Sequence, residues 1–197
     1  MKIIFTILIS LTIATTSFGQ EISYDDFKSV IPFLQKEDFK GAFDKTSQLL
    51  ASTQNDSSDL HGIVVYMNIF SAAGMVTLDQ MTHANFLKNA NKFVGQKIVM
   101  SAHPCIDSSS QGYNSLKFVT VDGQLLGLTI SANNKKTNIL CYEYFKYFDP
   151  IIPADFIGKN IRSGGTLASV EVNPNNSKIW ISRLHIVNAF AREMTPR

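Results

Sequence analysis

The sequence has few of the residues and motifs from which recognisable catalytic and metal sites are built. It contains only two cysteines, with no CxxC pair, and four histidines, none of them four positions apart. The motifs GxSxG, GxxxxGK[ST], HExxH and GxGxxG are all absent. We therefore expect no enzyme of the familiar hydrolase, nucleotidase, metalloprotease or dehydrogenase classes, and no cofactor.

The chain also lacks a strong charge of either sign. It has 18 Lys and Arg against 16 Asp and Glu. Residues 21–60 hold eight acids and four bases, whereas residues 156–197 hold two acids and six bases. Nucleic-acid-binding domains have a larger and more clustered basic excess, so nucleic acid is a possible partner but not the favoured one.

The first residues have the order of a secretory signal peptide. Lys2 precedes an apolar run at 3–14, and the small residues Ser17 and Gly19 stand where a signal peptidase cleaves. The run is shorter than a bilayer span, no cysteine follows for lipid attachment, and no later segment is expected to span a membrane. We expect residues 1–19 to be removed, and the protein to be periplasmic or extracellular without a transmembrane anchor.

Residues 20–92 predict an antiparallel helical bundle. Apolar residues recur at helical spacing in four segments, with polar breaks at 36–38 and 53–59. Asp56, Ser57 or Ser58 is the expected cap of the third helix, and Thr77 or Asp79 that of the fourth. The stretch EDFKGAFDKTSQLL resembles a tetratricopeptide repeat, but only about one and a half units are present where an array needs three. Helices that support a neighbouring domain are the simpler interpretation.

After residue 93 the apolar period changes from 3.6 to 2, which predicts a β-domain over 93–190 and a flexible C-terminus at 191–197. Turn-forming stretches separate six candidate strands: KIVMSAH, SLKFVTVDG, QLLGLTIS, TNILCYEYF, GGTLASVEV and KIWISRLHIV. The apolar face changes register across Gly164 and Gly165, which indicates a β-bulge or a sharp bend. The overall class is therefore α+β, with helices first and a small barrel or sandwich after them.

One hexapeptide occurs twice, as FVGQKI at 93–98 and FIGKNI at 156–161. A second 63-residue unit does not fit after residue 156, so duplication of a whole domain is not the explanation. Together with the helix NFLKNANKF, the cysteine strand ILCYEYF, the turn PADFIG and the strand IWISRLHIV, the two copies resemble the bacterial OB-fold tRNA-anticodon-binding-like family over about residues 85–188. The resemblance implies an OB-like barrel of five or six strands, in which the hexapeptides open the first and fourth strands.

The two cysteines, Cys105 and Cys141, both fall in this β-domain. In an exported chain a single disulfide between them is the leading interpretation, although spacing does not establish that they meet. A metal site that adds His103 is the alternative, and it would make the protein an enzyme of an unfamiliar kind.

OB folds bind oligonucleotides, oligosaccharides or peptides on one barrel face, where aromatic rings stack and cations meet phosphates. Tyr142, Tyr144 and Lys146 alternate on one side of the cysteine strand, and we expect this side to face outwards. Neighbouring strands would add Lys117, Arg162, Trp180 and Arg183.

We therefore expect an exported, non-enzymatic binding or scaffold protein of the bacterial envelope. Its partner would be an envelope or extracellular protein or an oligomeric ligand. The alternative function is that of an OB protein that binds single-stranded nucleic acid.

Overall fold

The structure, a computed structural model, describes residues 21–53, 56–110 and 112–194 of the chain. Within these ranges it is an α+β protein, in which four helices precede one mixed sheet of seven strands. The predicted signal peptide and residues 195–197 of the predicted C-terminal tail lie outside the described residues.

The four helices begin at side-chain caps that the sequence supplies. They are α1 (Tyr24–Gln35), α2 (Phe39–Ser52), α3 (Asp59–Thr77) and α4 (His83–Ala90). Ser58 caps α3 by accepting a hydrogen bond from the His61 amide, as predicted. The predicted start of α4 was wrong, because Thr82 is its cap. Asp79 has a left-handed φ of 59°, so it lies between α3 and α4 and in neither helix.

The third helix is buried on almost all of its sides. By length and composition α3 is apolar enough to cross a membrane, whereas no segment of that kind was expected after residue 19. However, 83% of the apolar 18-residue segment of this helix is buried inside the fold. A helix that is hydrophobic all round is typical of the centre of a protein core, and this burial accounts for the composition of α3.

All six predicted strand segments form strands, and the first one divides in two. The strands are β1 (Lys97–Val99), β2 (His103–Pro104), β3 (Leu116–Val121), β4 (Gln124–Ala132), β5 (Ile139–Tyr147), β6 (Asn160–Val172) and β7 (Trp180–Glu193). The count is therefore seven rather than five or six. β7 also continues past residue 190, so residues 191–193 belong to the sheet and not to a flexible tail.

The sheet has the order β1-β6-β7-β5-β4-β3, and β2 pairs with β6 beyond β1. β5 and β7 run parallel at the centre, whereas the other strand pairs are antiparallel. The register between β6 and β7 shifts between Gly164 and Thr166, which confirms the predicted bulge. A Cβ at Gly165 would lie 2.7 Å from the Val187 carbonyl oxygen, so lack of space requires glycine there.

The two hexapeptides are equivalent turns at opposite ends of one antiparallel strand pair. Gly95 and Gly158 have φ values of 87° and 83°, which glycine adopts without strain. The Gly95 amide donates to the Leu167 carbonyl in β6, and the Gly158 amide donates to the Cys105 carbonyl just after β2, both at 2.8 Å. Each turn is therefore bonded to the strand that follows the other.

The main hydrophobic core is shared by the helices and the sheet. It joins side chains of α2, α3 and α4 to the inward-facing residues of β1, β5, β6 and β7, with Ile69, Phe86, Phe145 and Leu184 fully buried. The helices therefore cover the inner face of the sheet.

Candidate functional site: the outward face of the sheet

β5 alternates between the core and the opposite surface of the sheet. Cys141, Glu143 and Phe145 are completely buried. Tyr142 and Tyr144 are half-buried and Lys146 is exposed, which agrees with the predicted outward side. The tyrosine side of the strand therefore faces away from the helices.

Strand pairing extends this outward face over five strands. One row of paired residues consists of Lys117, Leu128, Tyr144, His185 and Ser169. The adjacent row consists of Ile130, Tyr142, Arg183 and Glu171. Because paired residues point to the same side of a sheet, the predicted tyrosines lie in register with cationic and acidic neighbours.

The rings on this face are held against one another. Tyr144 stacks on His185 with ring centroids 5.5 Å apart and an interplanar angle of 11°. Tyr142 meets Trp180 edge to face at 6.2 Å. The Arg183 guanidinium lies over the Trp180 ring, 4.6 Å from its centroid. These contacts fix the rings in a half-exposed arrangement before any ligand arrives.

The charge of the face is close to neutral around its centre. A Glu171 carboxylate oxygen lies 3.8 Å from Arg183 Nη1, and the other lies 3.3 Å from His185 Nε2. Glu171 therefore offsets much of the positive charge that Arg183 would otherwise present to a phosphate.

Six of the seven predicted ligand-binding residues lie on this outward face: Lys117, Tyr142, Tyr144, Lys146, Trp180 and Arg183. Arg162 does not, because it lines a cavity between α1, α3 and the sheet. The sequence analysis missed His185 and Glu171. His185 shares the strand parity of Arg183 and could have been found in that way, whereas Glu171 meets Arg183 only through the strand order.

A buried polar group lies on the inner side of β5. The Tyr66 hydroxyl donates to Glu143 Oε1 at 2.7 Å and contacts Ser131 Oγ at 2.9 Å. Burial raises the pKa of Glu143 to about 8, so its carboxyl is mainly protonated at neutral pH. The signal that was missed is a glutamate at the same strand parity as Cys141 and Phe145.

The prediction of a disulfide was wrong, because Cys105 and Cys141 are both buried free thiols. The backbone of Cys105 forms an isolated parallel β-bridge with Leu116. Both side chains belong to a small hydrophobic cluster with Phe118. Cys141 belongs to the main core and accepts a hydrogen bond from the Ser182 hydroxyl at 3.3 Å. The two thiols therefore lie in different hydrophobic clusters.

His103 has hydrogen-bond partners of its own. Its Nδ1 lies 3.1 Å from the Asn114 carbonyl oxygen and its Nε2 lies 3.4 Å from Ser101 Oγ. Because a carbonyl only accepts, Nδ1 carries the proton and Nε2 accepts from the serine. In the described parts of the chain, no three His, Cys, Asp or Glu side chains cluster as ligands for a metal ion.

Comparisons with protein-family models, with curated proteins and with solved structures gave no match to this chain.

Proposed function

We propose that the protein is an exported, non-enzymatic binding or scaffold protein of the bacterial envelope, and that the outward face of the sheet is its binding surface. The observation that carries the proposal is the set of four rings, Tyr142, Tyr144, Trp180 and His185, held half-exposed on adjacent strands. Preformed aromatic surfaces bind rings and extended chains at a small cost in side-chain entropy.

An OB-like barrel is the architecture that we propose for this sheet. Two hydrogen bonds support closure between its edges: Ile106 N–H donates to the Leu116 carbonyl at 2.9 Å, and His103 Nδ1–H donates to the Asn114 carbonyl. A parallel bridge also joins Cys105 to Leu116 at the start of β3. The short 3-10 helix Pro153–Asp155 before β6 is a further feature of the resemblance.

An oligomeric ligand with flat rings, such as a glycan or a peptide, suits the surface best. The cation nearest its centre, Arg183, is paired with Glu171 and stacked on Trp180, so the surface favours rings over phosphates. The predicted signal peptide supports export, and an exported protein would meet the glycans and proteins of the envelope.

The experiment uses Trp180, which is the only tryptophan of the chain. Its emission is followed while the leaderless protein is titrated with soluble peptidoglycan fragments, with an oligopeptide mixture from envelope protein, and with a 12-nucleotide oligothymidylate. We expect the glycan or peptide probe to shift the emission, and Tyr144→Ala to weaken that binding about tenfold, since stacked rings contribute strongly.

Tyr24→Ala is the matched control, because Tyr24 is an exposed tyrosine on α1, away from the sheet face. Its affinity should equal that of the unmodified protein. Trp180 emission that stays constant with all three probes, or equal binding by the Tyr144→Ala and Tyr24→Ala variants, would contradict the proposal.

Single-stranded nucleic acid is the alternative ligand, and one observation favours it. Lys117 and Lys146 lie on the same face as the tyrosines, where they could meet phosphates beside stacked bases. This alternative predicts oligothymidylate binding that falls steeply with added salt and is lost when Tyr142, Tyr144 and Lys146 are changed. Binding that is indifferent to salt excludes it.

A further inference from the structure

A cavity of about 440 Å³ lies between α1, α3 and the inner face of the sheet, which is the face opposite to Tyr142 and Tyr144. This volume is in the range of sites for small organic ligands. The cavity is separate from the proposed binding surface, and of the seven predicted ligand-binding residues only Arg162 lines it.

The helical wall of the cavity is mainly apolar. Two of its residues from α1 and α3 are polar, Gln35 and Tyr66, and six are apolar: Phe27, Ile31, Leu34, Ile63, Met67 and Phe70. The three from α1 are only partly buried, so this helix still has apolar surface that a ligand could remove from water. Such a wall suits an alkyl chain or a ring system.

The sheet wall is polar, and Arg162 is its only permanent cation. Arg162 takes part in no ion pair within the described residues, and its Nε is buried without a hydrogen-bond partner. The nearby carboxylate of Asp59 is already paired with Lys97 at 2.6 Å and with Arg192 at 3.7 Å. Arg162 therefore has unused capacity for an anion.

Two further titratable groups at the cavity, His103 and Glu143, are mainly uncharged at neutral pH. Burial lowers the pKa of His103, so its imidazole is neutral. Glu143, which accepts a hydrogen bond from the lining residue Tyr66, is mainly protonated because burial raises its pKa to about 8. Among the residues that line the cavity, Arg162 is therefore the one with a permanent charge.

We propose that this cavity binds a single-chain amphiphile with one negative charge, such as a fatty acid. The anionic head lies at the Arg162 guanidinium, and the tail lies along α1 and α3. A guanidinium is suited to this role because its planar donors bind a carboxylate in a bidentate manner.

The test measures displacement of 8-anilinonaphthalene-1-sulfonate, a ring system with one sulfonate, from the folded, leaderless protein. Competitors are dodecanoate, dodecanol and dodecyltrimethylammonium, which share one tail and differ in head charge. We expect dodecanoate to displace the probe at about tenfold lower concentration than the other two, because only it forms a charge-assisted hydrogen bond.

The variant Arg162→Met should weaken dodecanoate binding about tenfold and leave dodecanol unchanged, because it keeps a long apolar side chain and removes the charge. Lys88→Met is the control, since Lys88 is an exposed cation on α4 that does not line the cavity. Its affinities should stay within twofold of those of the unmodified protein.

Ala102→Trp, at an exposed position that lines the cavity, should reduce binding of all three competitors by obstruction. Far-ultraviolet circular dichroism verifies that each variant is folded. If Ala102→Trp does not fold, Ile31→Trp replaces it and obstructs the cavity from α1. Equal displacement by dodecanoate and dodecanol, or unchanged dodecanoate affinity in Arg162→Met, overturns the proposal. Dodecanoate should not alter Trp180 emission in the unmodified protein, because Trp180 lies on the outward face. The two proposals can therefore fail independently.

Discussion

At the scale of single residues, Glu143 is the group whose chemistry differs most from that in water. The carboxyl is completely buried in the middle of the sheet, and its Oε2 has no hydrogen-bond partner. Its pKa rises from the ordinary value of 4.5 to about 8 because burial disfavours the charged form. The folded protein therefore holds a proton that the unfolded chain releases at much lower pH.

This difference predicts how the free energy of unfolding depends on pH. Between about pH 4.5 and pH 8 unfolding releases the Glu143 proton, so rising pH favours the unfolded chain. The contribution of Glu143 is fully present below pH 4.5 and is lost as pH rises through about 8. Relative to Glu143→Gln, which has no proton to lose, the unmodified protein should lose up to about 1.4 kcal/mol per pH unit.

Urea denaturation of both proteins at pH 5, 6, 7 and 8 measures this slope. Burial lowers the pKa of His61 and His103, which acts in the opposite direction, but both histidines are present in the two proteins and cancel in the difference. Glu171→Gln, at the exposed carboxylate on the outward face, is the control and should keep the slope. Parallel pH profiles for the unmodified protein and Glu143→Gln would disprove the assignment.

The sequence predicted the outward residues better than the inward ones. Alternation within β5 was sufficient to assign Tyr142, Tyr144 and Lys146 to one side, because successive side chains of a strand point to opposite faces of the sheet. The partners of Glu143 come from α3 and β4, which no local pattern connects to β5. For the same reason the sequence did not separate Arg162 from the tyrosines.

At the scale of elements, glycine is required for two different reasons in the sheet. Gly95 has a left-handed φ and open space where a Cβ would be. Gly165 has no space, because a Cβ there would lie 2.7 Å from the Val187 carbonyl and 2.9 Å from Ala189 Cα. Backbone atoms of a paired strand cannot move aside as a flexible side chain can.

Substitution by alanine should separate the two cases. Gly95→Ala should cost about 1–2 kcal/mol of unfolding free energy, which is the cost of a left-handed alanine. Gly165→Ala should cost about 3 kcal/mol or more, because β6 must move away from β7. Gly95→Asn, with a residue that tolerates the left-handed region, should be less destabilised than Gly95→Ala, and chemical denaturation measures all three. Equal costs for Gly95→Ala and Gly165→Ala would contradict this explanation.

The elements themselves were largely predictable, since the six strand segments follow from an apolar period of two and the start of α3 follows from its capping residue Ser58. The boundaries were less so. The first strand divides after Val99, and β7 continues to Glu193 because β6 supplies it with partners up to Ile161. Such limits depend on a neighbouring strand and not on the segment itself.

At the scale of the whole molecule, the shared core predicts that helices and sheet unfold together. Ile69 in α3 and Leu184 in β7 are fully buried in the same cluster. Ile69→Ala and Leu184→Ala should each reduce the unfolding free energy by about 2–5 kcal/mol. In both variants the helical signal at 222 nm and the Trp180 emission should be lost at the same urea concentration.

Leu78→Ala is the control for these variants, because Leu78 is 52% exposed at the end of α3 and its truncation should change stability by less than about 0.5 kcal/mol. If Ile69→Ala lost its helical signal at lower urea than its Trp180 emission, the helices would be a separate folding unit.

The reciprocal turns at Gly95 and Gly158 have a consequence for the timing of folding. Each turn needs the strand that follows the other, and 63 residues separate the two copies in the sequence. Contacts between such distant segments form slowly, because a long loop must close before they add stability. The centre of the sheet is completed last, since β5 lies between β4 and the C-terminal β7. A chain emerging from the ribosome therefore presents the apolar sides of α3 long before β7 exists to complete its cover.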